Sequence, residues 1–332
     1  MKKVTIYDVA KESGVSLATV SRVINESGIV KEPTKLRVKE AIERLGYRPN
    51  AIAQGLALQK TTTIGLVIPE VGFTYTGQII NGLLDVAKIY NYNIILHTIT
   101  EGISEVSEIV DMIIKSRVDG VVIYSDKILS ADVELLNRYN IPIVIIGNKM
   151  SGEGLCSVYV DIEKAIYELT SKYLIEGIED IAIIEDRKNG YSSKQMVEGA
   201  KRAFKKQGKE FKGFIEIPGE YRSSYKYLVN YFKEHKHQLI IANRDSQAMA
   251  ILNSARENGI AIPDEMEIVC VIDTKYNSIT RPTITSFSIP SYDLGAVSMR
   301  VLTKMLQSEN VDEKEKCLSY LYNPRQTTKN NK

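Results

Sequence analysis

One cation and several small or polar residues stand together in SLATVSRVIN, residues 16–25. Arg22 offers a planar fork of donors, Ser21 a hydroxyl and Asn25 an amide. Leu17 and Ala18 offer apolar surface small enough for close approach. A guanine edge takes an arginine bidentately, a thymine methyl takes an apolar contact, and a phosphate takes a hydroxyl. On a helical wheel at about 100° per residue, Val20, Val23 and Ile24 fall on one side. Leu17, Ala18, Ser21, Arg22 and Asn25 fall on the other, which carries none of the Glu and Lys of a merely solvated face. That face suits a DNA major groove, with Arg22 on a guanine, Leu17 and Ala18 against base edges or thymine methyls, and Ser21 on phosphate. A helix that binds another protein is the alternative reading.

The flanking sequence supplies the elements that would hold this helix. Thr5-Ile-Tyr-Asp8 reads as a capping-box start, with Asp in place of the usual Glu. Ile6, Val9 and Ala10 make one apolar stripe, and Gly14 ends that helix because glycine takes left-handed backbone angles cheaply. Ser16 caps the next helix. A third runs from about Pro33 to Leu45, with Val38, Ala41, Ile42 and Leu45 on its inner face and Gly46 as its stop. Helix, tight turn, helix and a third packing helix is the helix-turn-helix layout. Charge agrees. Residues 1–60 carry eleven Lys/Arg against six Asp/Glu, whereas the rest is mildly acidic within an overall +2. A basic head on an acidic body points to a polyanionic partner for the head.

TIYDVAKESGVSLATVSRVIN resembles the head of the LacI/GalR family of bacterial repressors, and GYRPNAIAQGLA, residues 46–57, resembles that family's hinge. The resemblance runs through the entire chain. It implies a homodimer on a double-stranded, pseudo-palindromic DNA operator, with Thr5, Tyr7, Ser16 and Thr34 on the DNA backbone. The segment Asn50–Leu58 contains Gly55 and is too short to be a stable helix alone. In the family two such hinges pack together in the minor groove and a leucine wedges between base pairs. Leu56 matches that leucine, and Asn50, Ala53, Gln54 and Ala57 are the companion minor-groove residues. Gln54 stands where many relatives have Arg.

Beyond Thr63 the pattern changes. Ile64–Ile68, Ile94–His97, Gly120–Tyr124 and Ile143–Ile146 are short apolar runs, separated by helical stretches near 75–91, 104–116 and 130–139. The alternation repeats with Ile181–Ile184, Phe214–Ile217, Leu239–Ala242 and Ile268–Val271. It predicts an α/β body of two doubly wound parallel sheets, a bilobed form like periplasmic binding proteins. His97 is expected to end a buried strand. The family implies three crossings between lobes. The expected divisions are therefore a head at 1–48, a hinge and linker at 49–60, and a body at 61–332. Within the body, the N-lobe covers about 61–158 plus 288–315 and the C-lobe about 159–287 plus 316–332.

Catalysis is not expected. The chain contains no G-x-S-x-G, P-loop or G-x-G-x-x-G motif, and no acid–base constellation. His235 and His237 have the wrong spacing for one helical face. Cys156, Cys270 and Cys317 are odd in number and far apart, which argues against disulfides and a metal site. No cofactor is expected. No apolar run approaches the ~20 residues of a membrane span, and no signal-peptide core opens the chain, so a cytoplasmic protein is expected. In the family an arginine often holds effector hydroxyls in the interlobe cleft. Here Met196 occupies that place, which argues against tight sugar induction. Asp245 and Asp273 either line the cleft or serve as cap and structural acids. A sugar or sugar phosphate in the cleft is the alternative input, and a sugar-binding transport component is the alternative outside the regulators.

The preferred input is SYDLGAVSMRVLTKML, residues 291–306. The wheel turns Leu294, Val297, Val301 and Met305 inward and Tyr292, Met299, Arg300 and Thr303 outward, with Lys304 at the edge. Apolar anchors beside two cations suit a phosphorylated protein partner, and a packed internal contact is the alternative. Within the family, catabolite-control regulators bind the phosphocarrier HPr, phosphorylated on serine, as corepressor. The matching residues would be Tyr292 and Met299 as anchors, Arg300 and Lys304 toward the phosphoserine, and Asp293 and Glu70 toward HPr cations.

Overall fold

The computed structural model describes residues 4–25, 28–48, 61–69, 74–99, 106–125, 128, 130–186 and 190–329. The chain divides into two compact units, Met1–Thr63 and Ile64–Lys332.

The first unit contains α1 (Ile6–Ser13), α2 (Leu17–Ile24) and α3 (Glu32–Leu45). Val9, Val20, Val23, Val38 and Ala41 form its core, flanked by Ile6, Ala10, Ile24, Ile42, Leu45 and Tyr47. Gly14 and Gly46, both with positive φ, end α1 and α3 as left-handed caps.

The second unit begins with β1 (Thr63–Ile68), α4 (Thr74–Ile89), β2 (Asn93–Thr98), α5 (Val106–Lys115), β3 (Gly120–Tyr124), α6 (Ser130–Arg138), β4 (Ile143–Ile146) and β5 (Leu155–Val160). A second lobe follows with α7 (Ile162–Ile175), β6 (Ile181–Asp186), α8 (Tyr191–Lys206), β7 (Phe214–Ile217), α9 (Tyr221–Tyr231), β8 (Leu239–Ala242), α10 (Asp245–Glu257), β9 (Glu267–Cys270), α11 (Lys275–Ile279) and β10 (Thr285–Ser288). The chain then returns to the first lobe as α12 (Ser291–Leu306) and β11 (Glu315–Leu318), and ends in the second with β12 (Leu321–Asn323).

The N-lobe sheet has the order β11-β5-β4-β3-β1-β2, and its first five strands run parallel. The C-lobe sheet has the order β12-β10-β9-β8-β6-β7. All its pairs are parallel except β12 with β10, so one edge departs from the all-parallel expectation. The central strands β4, β8 and β9 are buried along their whole length and β3 as far as Ile123, as strands covered by helices on both faces must be. The edge strand β2 is different. Ile95 and Leu96 are exposed, and His97 is half-buried rather than at the end of a buried strand. An edge has a neighbour on one side only, so burial is not forced on it. Burial still pushes the His97 imidazole pKa down, and its Nε2 has no hydrogen-bond partner.

The third crossing between lobes falls after β11, because Glu315–Leu318 pairs with Ser157–Val160 in the N-lobe sheet. The expected C-lobe start at 316 is therefore about three residues early. One side chain at each crossing, Ile162, Ile289 and Tyr320, packs against the cores of both lobes.

Candidate DNA-reading face and regulatory surfaces

The geometry of α2 follows from its caps. Ser16 accepts a hydrogen bond from Thr19 N at 3.2 Å, satisfying one of the free amides that every helix start leaves. Its hydroxyl also lies 2.9 Å from Thr19 Oγ1. At α1, Asp8 accepts from Thr5 N at 2.8 Å and from Thr5 Oγ1 at 2.7 Å. Val20 and Val23 are buried, whereas Leu17, Ala18 and Arg22 are exposed and Ser21 and Asn25 are half-exposed. Asn25 Nδ2 donates to Ser21 Oγ at 3.3 Å. Tyr7 is exposed on α1 and Thr34 half-exposed in the first turn of α3. The head therefore presents one donor fork, two small polar groups and two apolar side chains on a single outward face. The hinge residues Asn50, Ala53, Gln54, Leu56 and Ala57 lie outside the described residues, as does Glu70.

The second surface is α12. Tyr292, Asp293, Arg300 and Lys304 are exposed, and the Tyr292 hydroxyl donates to Asp85 Oδ2 on α4 at 2.9 Å. That carboxylate pushes the Tyr292 phenol pKa up. Met299 does not belong to the outward set. It is fully buried in the N-lobe core, and Thr303 is buried with its hydroxyl donating to Met299 O at 2.8 Å. Val297 and Met305 are only half-buried, although the wheel places them inward. The cause is that α12 is covered on two sides, by the sheet and by α4. The helix contact is glycine-dependent. A Cβ on Gly295 would lie 1.9 Å from Ile79 O, and one on Gly82 would lie 2.0 Å from Tyr292 O.

Between the lobes is a cavity of about 80 Å³ walled by Tyr75, Tyr124, Tyr191, Val160, Ile272 and Leu294. Tyr191 reaches across from α8, and Lys149 N donates to its hydroxyl at 3.3 Å. These tyrosines escaped the sequence reading. The signal that finds them is their place beyond the carboxyl ends of strands, where open α/β sheets keep their crevice. Neither Asp245 nor Asp273 is among the described residues lining this cavity. Asp245 accepts from Thr274 Oγ1 at 2.7 Å and from Ser246 N at 2.6 Å. Asp273 is engaged by Arg325 and Asn323. Both acids are spent inside the C-lobe. Met196, where the family often has arginine, is wholly buried in the C-lobe core.

Residues 5–50 match the model for bacterial regulatory proteins of the lacI family, and residues 171–328 match that of a periplasmic binding protein-like domain. Catabolite control protein A of Staphylococcus aureus strain Mu50 is 35% identical over 329 residues, 98% of this chain and 99% of the relative. The chain belongs to the lacI family. The catabolite control protein A of Priestia megaterium is 34% identical over 330 residues, again 98% and 99% of the two chains. Among solved structures, the transcription regulator CcpA of Lactococcus lactis superposes with a TM-score of 0.71 at 27% identity, covering 80% of this chain and 99% of that one. A lac repressor dimer bound to operator shares the fold, with a TM-score of 0.86 at 22% identity over 98% and 99% of the chains. This lacI-family chain is thus a DNA-binding transcription regulator close to catabolite control protein A. No described helix is long and apolar enough to cross a membrane.

Proposed function

We propose that this chain is a homodimeric regulator in the cytoplasm that binds a pseudo-palindromic operator and takes serine-phosphorylated HPr as corepressor. The observation that carries the DNA reading is the division of α2. Val20 and Val23 hold the helix in the head while Leu17, Ala18, Ser21 and Arg22 stay available. Arg22 reads a guanine, Leu17 and Ala18 meet base edges, and Ser21 and Asn25 add polar contacts. Thr5, Tyr7, Ser16 and Thr34 position the head on the backbone. The hinge, through Leu56, wedges the minor groove, and the unstacking energy is offset by the added contacts.

Dimerisation is supported by apolar surface on the N-lobe. Leu84, Ile89 and Tyr90 on and just after α4 are exposed, and so are Ile95 and Leu96 on the neighbouring edge strand. Such a grouping on a sheet edge favours pairing with a second copy. The HPr reading rests on Tyr292, Asp293, Arg300 and Lys304, with Met299 removed from the contact set and Glu70 kept as a proposed contact outside the described residues. Docking on α12 biases the relation between lobes, and that relation sets whether the hinges order in the groove.

Fluorescence anisotropy of a palindromic operator at fixed salt tests the reading, with no addition, with HPr and with serine-phosphorylated HPr. Tightening with the phosphorylated form alone is expected. Tight binding that ignores HPr and loosens with a sugar phosphate would move the input to the interlobe cavity.

A further inference from the structure

We propose that Ile29, outside the reading helix, is a further specificity-determining residue that contacts a thymine methyl in the major groove. The inference rests on the assignment of α2 as the DNA-reading helix. Ile29 has no cover at all, with a relative exposure of 102%. Its neighbours fix its place beside the reading helix. Gly28 has φ +76, a left-handed conformation that glycine adopts without strain. An added Cβ on Gly28 would lie 3.6 Å from Arg22 Cδ and 4.0 Å from Arg22 Nε, so the arginine stem rests against this glycine. Val30, on the other side, turns inward and packs on the head core.

Of the segment 28–30, Ile29 is therefore the side chain left to project, and its Cα is about 3.8 Å from that of the glycine that supports Arg22. Wherever the Arg22 guanidinium meets a base, Ile29 stands within about three base pairs at ~3.4 Å per step. The side chain is wholly apolar, so a phosphate or a base-edge donor gives it nothing. The thymine C5 methyl is the apolar group that the major groove displays. The reading surface then has apolar probes at both ends, Leu17 and Ile29, with the Arg22 fork between them.

The test uses the full-length chain and a palindromic duplex selected with it from random DNA. Each thymine is replaced in turn by uracil, which removes only the methyl, and each guanine by 7-deazaguanine, which removes the N7 acceptor. Dissociation constants are measured at fixed salt for the unmodified chain, Ile29→Ala and Arg22→Ala. One thymine within three base pairs of the guanine coupled to Arg22 is expected to lose about fourfold in affinity on replacement, the worth of one buried methyl. That loss should vanish in Ile29→Ala. If every uracil effect persists unchanged in Ile29→Ala while a guanine still couples to Arg22, the Ile29 inference is overturned and DNA reading by α2 stands. If no guanine couples to Arg22, the assignment of α2 itself fails and takes this inference with it. Ile29 makes no contact inside the head, so thermal unfolding of Ile29→Ala should match that of the unmodified chain.

Discussion

Arg325 closes on Asp273 through two parallel hydrogen bonds, Nη1 to Oδ1 at 2.8 Å and Nη2 to Oδ2 at 2.7 Å. The same guanidinium donates to Ile284 O at 2.8 Å and Ser286 Oγ at 2.6 Å, tying the segment after β12 to β9 and β10. Both partners are largely buried, with side-chain exposures of 21% and 13%. Arg325→Met should cost about 3 kcal/mol, because an uncompensated carboxylate is left inside the lobe. Urea unfolding of the two chains measures it.

The same pair sets a pH dependence. Burial pushes the Asp273 carboxyl up, but hydrogen bonds from Arg325 and Ser286 and the guanidinium charge outweigh it and hold the pKa below its ordinary value. A folded-state pKa lowered in this way adds stability above the unfolded value of about 3.9, and the gain is lost as pH falls through the folded value. Stability of the unmodified chain should therefore fall more steeply below pH ~4 than that of Asp273→Asn, which has no proton to take up there. Unfolding midpoints measured between pH 3 and 6 would show equal slopes if the pairing were absent.

Two adjacent residues on α12 should behave oppositely. Met299→Ala opens a cavity in the N-lobe core and should cost about 2–5 kcal/mol. Arg300→Ala is a surface change, expected to stay within about 0.5 kcal/mol of the unmodified chain while removing the response to serine-phosphorylated HPr. Chemical denaturation and operator titration separate the two. A response to HPr that survives Arg300→Ala would place the input elsewhere.

The helix pair beneath that surface depends on Gly295. Its substitution by alanine puts a methyl where the Ile79 carbonyl sits, and relief requires a backbone shift costing about 1–3 kcal/mol. The calorimetric melting temperature should fall accordingly, whereas Gly77→Ala, with open space around it, should melt near the unmodified chain.

At the head, Arg22→Ala should weaken operator binding by about 1–3 kcal/mol and relax preference at one base pair. Equal weakening on operator and random DNA in a competition titration would mean that Arg22 serves the backbone rather than a base.

The sequence by itself determined the local features. Caps, turns and 3.6-residue periodicity are short-range physics, so Thr5, Gly14, Ser16 and Gly46 marked the head helices to within a residue or two. Continuous β-branched runs marked the central strands for the same reason, since full burial leaves its trace in the strand itself. What the tertiary structure decided were the relations between elements. One wheel cannot show that α12 is covered from two sides, because that follows from Gly82 and Gly295 letting the backbones of two helices more than two hundred residues apart in the chain approach closely. Hence Met299, which the wheel turns outward, is buried. Nor does composition reveal which apolar strand lies at an edge, so Ile95 and Leu96 came out exposed. Asp273 found Arg325 across fifty-two positions, a pairing set by sheet order and invisible to any local window.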